Sequence, residues 1–284
     1  MIHLLKFINK TYWKTIVLPV MSFIFPIFYV AIIGGVWSLF SQLTPSIILP
    51  AAWSIGIITT TLLCIPQMIF DLQSSVLIKR LGVSKYKPWM FYLLLIAFFI
   101  VINFFSYLFL IATSYLVLMN NALFVTDLLV NANYWEVLYS LFISFIMGLS
   151  IGLFLVNVCK TTVQIQIIGS IILIISVGVS GMLVPIAFLY NINYLYRIIT
   201  LISPFTYTNS LLTESWFHYH VFFNVLHSSI FSPGTPYVSG VLNSVGTSTI
   251  LFVTWQKWLN LLVPVILTIG FMGFNLSMFT YKVR

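Results

Sequence analysis

The chain has 284 residues, 61% hydrophobic and only 6% charged, with a formal net charge of +8. A water-soluble domain carries roughly 25% charged residues to hydrate its surface, so this composition excludes a soluble globule and makes lipid the solvent. The positive balance does not indicate nucleic acid. The cations flank apolar runs instead of forming a soluble basic face, and anionic lipid headgroups are the simpler partner.

Residues 1–15 open the chain as a short amphipathic helix. Lys6, Lys10 and Lys14 recur at helical spacing on one face, while Leu4, Leu5, Ile8 and Tyr12 occupy much of the other. Such a helix can lie in the headgroup plane, although an ordinary positive flank would have the same pattern. Span one follows over 16–40 and contains Pro19 and Pro26. It exceeds the apolar core of a signal peptide and no small-residue cleavage site follows, so it is expected to be retained. After a turn with Gln42, Thr44, Pro45 and Ser46, span two covers 47–70.

The polar stretch 71–88 separates it from span three at 89–118. Residues 119–136 form a polar loop with Asp127, Glu136 and several asparagines. Span four is expected at 137–158, a short connection at Lys160 to Gln166, and span five at 167–189. Residues 190–257 are broken by Pro204, Pro233 and Pro236 and by many Asn, Ser, Thr and Gly residues. Within them, 198–213 is too short for a span and suits a re-entrant or interfacial helical pair, while 228–250 reads as loop. Span six covers 258–281. The expected fold is an all-α membrane protein, a single transmembrane domain over 1–284 with six spans and an N-terminal interfacial helix.

The cations orient the bundle. With six spans and the N-terminus inside, Lys6, Lys10, Lys14, Lys79, Arg80, Lys85, Lys87, Lys160, Lys282 and Arg284 are cytoplasmic, ten of the twelve Lys and Arg. Arg197 and Lys257 remain outside. The positive-inside rule therefore places both termini in the cytoplasm of a multi-pass cell-membrane protein. The bias toward Ile, Phe, Asn and Tyr fits an AT-rich bacterial gene.

None of the expected spans contains Asp, Glu, Lys or Arg. Ion-coupled carriers usually use an ionisable group near the midplane, and intramembrane charges mark ion pathways, so this absence disfavours a secondary transporter or a cation channel. A pathway would be lined by apolar, aromatic and neutral polar groups. The candidates are Thr59, Thr60, Thr61 and Gln67 in span two, Asn103 and Ser106 in span three, and Asn275 in span six. Interhelical hydrogen bonding is the competing role for each.

No metal site is expected. His218, His220 and His227 have only Glu214 nearby, and Cys64 and Cys159 show neither disulfide nor metal spacing. No G-x-x-x-x-G-K-[ST] run is present, so the chain has no P-loop of its own. Gly148-x-x-x-Gly152 permits close helix approach without specifying a partner.

Two interruptions stand out. In 71–88, Leu72, Val76, Leu77 and Leu81 form an apolar stripe, Lys79 and Arg80 stay polar, and Gly82 suits a helix stop. A surface helix of this kind can dock into a groove on a soluble partner. After span five, Gly181 and Pro185, then Ser203-Pro204, break the apolar run. Broken backbone at membrane depth needs a protein or aqueous lining, which favours a structure folded back into the outer leaflet.

At these residues the chain resembles the permease subunits of type-2 ABC exporters. The run Leu77-Ile78-Lys79-Arg80-Leu81-Gly82-Val83-Ser84 looks like the family's segment between spans two and three, with Val83 near a position where proline is often found. Ser180-Gly181, Pro185, Ser203-Pro204 and Thr206-Tyr207 look like its signature after span five. The likeness covers nearly the whole chain, except the longer segment 216–256.

The resemblance implies a non-catalytic half-transporter that pairs with an identical or homologous permease. Two copies of a separate ATPase would hold ATP and magnesium, with no cofactor on this chain. It implies an ATPase-coupling role for Leu72, Val76, Leu77, Lys79, Arg80, Leu81 and Gly82, and an outer gate shaped by Gly181, Pro185, Pro204 and Tyr207. Hydrophobic or amphipathic cargo (a peptide, a lipid-like molecule or a drug) suits the charge-free spans. The alternatives are a membrane immunity or sensor subunit that transports nothing, and a membrane enzyme acting on lipid, for which only 214–227 offers a polar cluster.

Overall fold

The computed structural model describes residues 2–38, 48–74, 88–119, 133–183, 199–200, 202–216 and 248–278. In chain order the elements are α1 (Ile2–Lys14), α2 (Val17–Pro19), a π-helical turn π1 (Val20–Ile24), α3 (Phe25–Ser38), α4 (Ile48–Thr59) and a second π turn π2 (Thr60–Cys64). They continue with α5 (Ile65–Ser74), α6 (Pro88–Leu118), α7 (Tyr134–Val158), α8 (Thr162–Val179), α9 (Pro204–Trp216) and α10 (Ser248–Met278). No strand occurs among the described residues. Helices suit long apolar runs in lipid because a helix satisfies its backbone hydrogen bonds internally.

Five stretches are long and apolar enough to cross a membrane: Leu49–Leu72, Leu93–Leu118, Tyr134–Val158, Thr162–Val179 and Trp258–Asn275. Leu4–Lys14 and Val17–Ile33, bent by 82° at the break between them, make a sixth when the pair is taken as one broken span. This is an all-α, multi-pass membrane protein. Ile8 and Tyr12 of α1 are buried and Lys6, Lys10 and Lys14 are exposed, so the helix uses the two faces that its spacing sets apart.

Several boundaries differ from those expected. The α8 helix starts at Thr162, before the apolar run, because its first turn is capped reciprocally. The Thr161 hydroxyl accepts from the Gln164 N–H at 3.2 Å, and the Gln164 side chain accepts from the Lys160 N–H at 2.8 Å. The helix ends at Val179, well before 189, at a turn in which Gly181 has φ 76°. That left-handed conformation favours glycine. Helices α7 and α10 begin earlier than their spans, at Tyr134 and Ser248. The early start of α7 takes Glu136 into its crossing stretch, and the second span, running to Leu72, takes in Asp71; each lies within two residues of a span end.

Contacts between elements sort the helix ends into two groups. Tyr12 packs edge-on against Phe98 and Phe99 of α6, with centroids 5.5 and 5.9 Å apart. This lysine end also holds the α7–α8 connection with exposed Lys160. At the opposite end, the Asn133 N–H before α7 donates to the carbonyl of Ser215 at the end of α9, 3.1 Å away. The α4–π2–α5 span is enclosed by its neighbours along nearly its whole length, whereas α8 and α10 expose much of their surface.

Candidate functional site: a polar crossing and a polar end

Span two carries most of the expected pathway residues, and its π turn lies at the crossing of several helices. The sequence gives the reason for both π turns. Proline has no N–H, and inside a helix its ring clashes with the carbonyl four residues earlier. Pro26 follows π1 and Pro66 follows π2, so each π turn occupies the segment that must make room for a proline. The closing bonds skip five residues, Phe25 N–H to the Val20 carbonyl and Ile65 N–H to the Thr60 carbonyl.

Pro26 cannot donate to the carbonyls of Ser22 and Met21, four and five residues back. Neighbouring helices supply the donors. The Ser106 hydroxyl donates to the Ser22 carbonyl at 2.6 Å, and the Thr59 hydroxyl to the Met21 carbonyl at 3.2 Å. The carbonyls that Pro66 cannot serve are those of Leu62 and Thr61, and glycines pack against both. A Cβ on Gly169 would lie 3.0 Å from the Leu62 carbonyl oxygen, and a Cβ on Gly152 would overlap the Thr61 carbonyl oxygen. One on Gly148 would overlap the Thr61 hydroxyl. The Gly148-x-x-x-Gly152 notch of α7 thus has a partner inside the chain, the π turn of span two. The two π turns also touch: the Ser22 hydroxyl donates to the Cys64 sulfur, whose thiol donates to the Leu18 carbonyl, both at 3.7 Å.

The pathway candidates are brought together only in part. Thr60 donates to the Asn103 Oδ1 at 2.9 Å, and the Asn103 Nδ2 donates to the Phe99 carbonyl at 2.9 Å. The Thr61 hydroxyl donates to the Ile57 carbonyl of its own helix at 2.7 Å. Thr59, Thr60, Asn103 and Ser106 therefore gather near the crossing, and Gln67 is buried further along in α5. Asn275 belongs to a separate group between α7 and α10. Its Nδ2 donates to the Ser150 carbonyl and its Oδ1 accepts from Asn157, each at 2.9 Å.

At the end opposite the lysines, α9 combines polar composition with burial. Every side chain described from Phe205 to Ser215 is buried, Tyr207 among them, although Thr206, Thr208, Asn209, Ser210, Thr213 and Ser215 are polar. Three hydroxyls turn back on the helix itself, with Thr208 donating to Phe205 O (3.1 Å), Thr213 to Asn209 O (2.7 Å) and Ser215 to Leu212 O (2.6 Å). The Asn209 amide reaches outward instead. Its Oδ1 accepts from the Ser54 hydroxyl of α4 and its Nδ2 donates to the Ser180 carbonyl at the end of α8, both at 2.9 Å. The Ser180 and Ser203 hydroxyls share a bond of 3.0 Å, and the Tyr29 hydroxyl donates to the Met182 carbonyl.

Of the outer-gate candidates, Gly181 forms the turn, Pro204 begins α9 and Tyr207 is packed inside it; Pro185 lies outside the described residues. Of the coupling candidates, Leu72 is buried near the end of α5, and Val76, Leu77, Lys79, Arg80, Leu81 and Gly82 lie outside the described residues. So do His218, His220 and His227. Tyr29, Ser54 and Asn209 are the residues that sequence reasoning passed over. The available signal was a 13-residue segment too polar to face lipid and too short to cross it.

The buried polar groups among the described residues are neutral, mostly Ser, Thr, Asn and Gln with the Tyr29 hydroxyl and the Cys64 thiol. Such groups can line a route or lock helices together, but they cannot take up an ion by charge neutralisation. Comparison with known families agrees with the architecture: residues 1–217 match the ABC-2 type transporter family. The chain belongs to that family. It is a membrane-embedded permease component of an ABC transporter. Comparison with curated proteins and with solved structures returned no match.

Proposed function

We propose that this permease is half of an ATP-driven exporter for hydrophobic or amphipathic cargo such as a peptide, a lipid-like molecule or a drug. The observation that carries this reading is the uncharged interior. An ion gradient is harnessed through ionisable groups at membrane depth, and the buried polar groups of this bundle carry none. Energy then has to enter from one end of the bundle, and a motor on a separate chain supplies it.

The lysine end suits that role. Lys6, Lys10, Lys14 and Lys160 are exposed there, and a cytoplasmic position satisfies the positive-inside rule. The end of α5, through Ser74, lies at that same end, and the proposed coupling segment 71–88 begins there in the chain. Its apolar stripe at Leu72, Val76, Leu77 and Leu81, flanked by Lys79 and Arg80, would dock into the ATPase, with Gly82 ending the helix. Two permeases and two ATPase copies would form the working assembly, ATP and magnesium being held by the ATPases. The α9 end then faces outside, where Gly181, Pro185, Pro204 and Tyr207 shape the exit. Thr59, Thr60, Gln67 and Asn103 lie on the span we assign to the pathway, or bond to it.

The test purifies the permease together with the products of its neighbouring genes. Copurification and cargo-stimulated ATP hydrolysis are expected. Replacing Leu77 and Leu81 by Asp should leave basal hydrolysis in place and remove ATP-driven cargo movement, measured in vesicles. Unchanged transport in that double variant would sink the coupling assignment. Failure of any ATPase to associate would instead favour a non-transporting membrane subunit.

A further inference from the structure

We propose that Asn209 is the positioning residue that latches the α9 end shut, through the two arms of one side-chain amide. The proposal rests on the reading of that end as the exit. The geometry leaves little freedom in how the amide is oriented. The Ser180 carbonyl can only accept, so Nδ2 must face it, and Oδ1 then faces the Ser54 hydroxyl, which donates. One side chain thus joins three pieces of chain: α9, the middle of α4, and the end of α8.

What separates Asn209 from its neighbours is the fate of their bonds when the helices part. The hydroxyls of Thr208, Thr213 and Ser215 bond within α9 and stay satisfied wherever the helix goes. Both bonds of Asn209 exist only while α4, α8 and α9 are in contact. The same α8 end is held twice more, by the Ser180–Ser203 hydroxyl pair and by Tyr29 donating to the Met182 carbonyl. The left-handed turn at Gly181 places these successive residues so that each reaches a different neighbour. A cluster made of side-chain hydrogen bonds can exchange them for water when it opens and remake them on closing. That is the chemistry a repeatedly moving barrier needs, and a tightly interlocked apolar plug lacks it.

The experiment uses the full chain in sealed phosphatidylethanolamine/phosphatidylglycerol vesicles, with Cys64 and Cys159 replaced by Ala and Thr208→Cys as the reporter. Thr208 is 1% exposed and bonds only within its helix. A membrane-impermeant maleimide, present on both faces, should label Thr208→Cys slowly. Asn209→Leu, which keeps the bulk and removes both bonds, should speed labelling by about tenfold, the factor given by loss of about 1.4 kcal/mol of hydrogen bonding. Ser54→Ala should give a smaller acceleration, and adding it to Asn209→Leu no further one, because both act on one latch. Thr213→Val, equally buried in the same helix, should leave the rate unchanged.

If Asn209→Leu fails to reach the membrane, Ser54→Ala alone decides, and an unchanged rate in it overturns the latch. Equal acceleration by Thr213→Val overturns it too, since any loosening of α9 would then suffice. Labelling requires neither ATP nor cargo, which keeps the two ideas apart. Acceleration in a chain that moves no cargo would uphold the latch and remove the exporter. ATP-driven export with unchanged labelling would remove the latch alone.

Discussion

The polar crossing of the two π turns and the polar end at α9 bury similar residue types, yet they are built on different logic. At the crossing, the groups needing partners are backbone carbonyls that Pro26 and Pro66 cannot serve. Ser106 and Thr59 answer for one proline, and the glycines of α7 and α8 close over the carbonyls of the other. The bonds to the Ser22 and Met21 carbonyls come from other helices and are lost if the helices separate. At α9, by contrast, the hydroxyls of Thr208, Thr213 and Ser215 have a partner in their own helix, and the Asn209 side chain links to the neighbours. The crossing is suited to act as a fixed axis and the α9 end as the part that yields.

The largest expected effect tests the fixed axis. Gly152→Leu would drive a side chain into the Thr61 carbonyl, which cannot step aside as a flexible side chain would. Overpacking of this kind costs roughly 1–3 kcal/mol or more, and we expect loss of folded protein, measured as membrane yield and thermal unfolding. Gly273→Leu meets open space and should leave both unchanged. Equal damage at the two positions would mean that the Gly148-x-x-x-Gly152 notch has no special partner in span two.

A smaller effect sharpens the account of the prolines. Ser106→Ala should destabilise by about 1–2 kcal/mol, since the Ser22 carbonyl loses its cross-helix donor. In a Pro26→Ala background the new N–H can serve that carbonyl, so the same substitution should cost less. A double-mutant cycle should show coupling of at least about 0.5 kcal/mol. Additive effects would disprove the compensation.

The smallest effect belongs to the α9 end. Ser203→Ala removes one hydroxyl pair with Ser180 and should cost only about 0.6 kcal/mol, the average for hydrogen bonds between membrane helices. The unfolding temperature should hardly move. A loss as large as that of Ser106→Ala would erase the contrast between the two regions.

Much of the fold was legible because its cause is local. The apolar runs, the spacing of Lys6, Lys10 and Lys14, and the break at Ser180-Gly181 each act within a few residues, and each has its counterpart in the helices described. Boundaries were less legible where polar residues belong to a helix. Thr161 and Gln164 read as a connection, yet they cap α8 through a side-chain exchange invisible to hydropathy. Thr59, Thr60 and Asn103 could be picked out as buried polar residues on chemical grounds. That Thr60 faces Asn103, or that Thr59 answers the Met21 carbonyl, depends on helix rotation, which a uniformly apolar surface does not encode.

By itself the sequence determined the solvent, the class of fold and the confinement of charge to the span ends and connections, because transfer of a helix into lipid depends on composition and length. It also carried the resemblance to type-2 exporters, through short motifs at two interruptions. Only the tertiary structure decided that the prolines of spans one and two produce neighbouring π turns, that Gly152 and Gly169 close on the second, and that Asn209 joins α4, α8 and α9. Those facts arise from contacts between residues as far as 155 positions apart. Where every helix face is nearly as apolar as the next, packing shape and a few hydrogen bonds choose the partners.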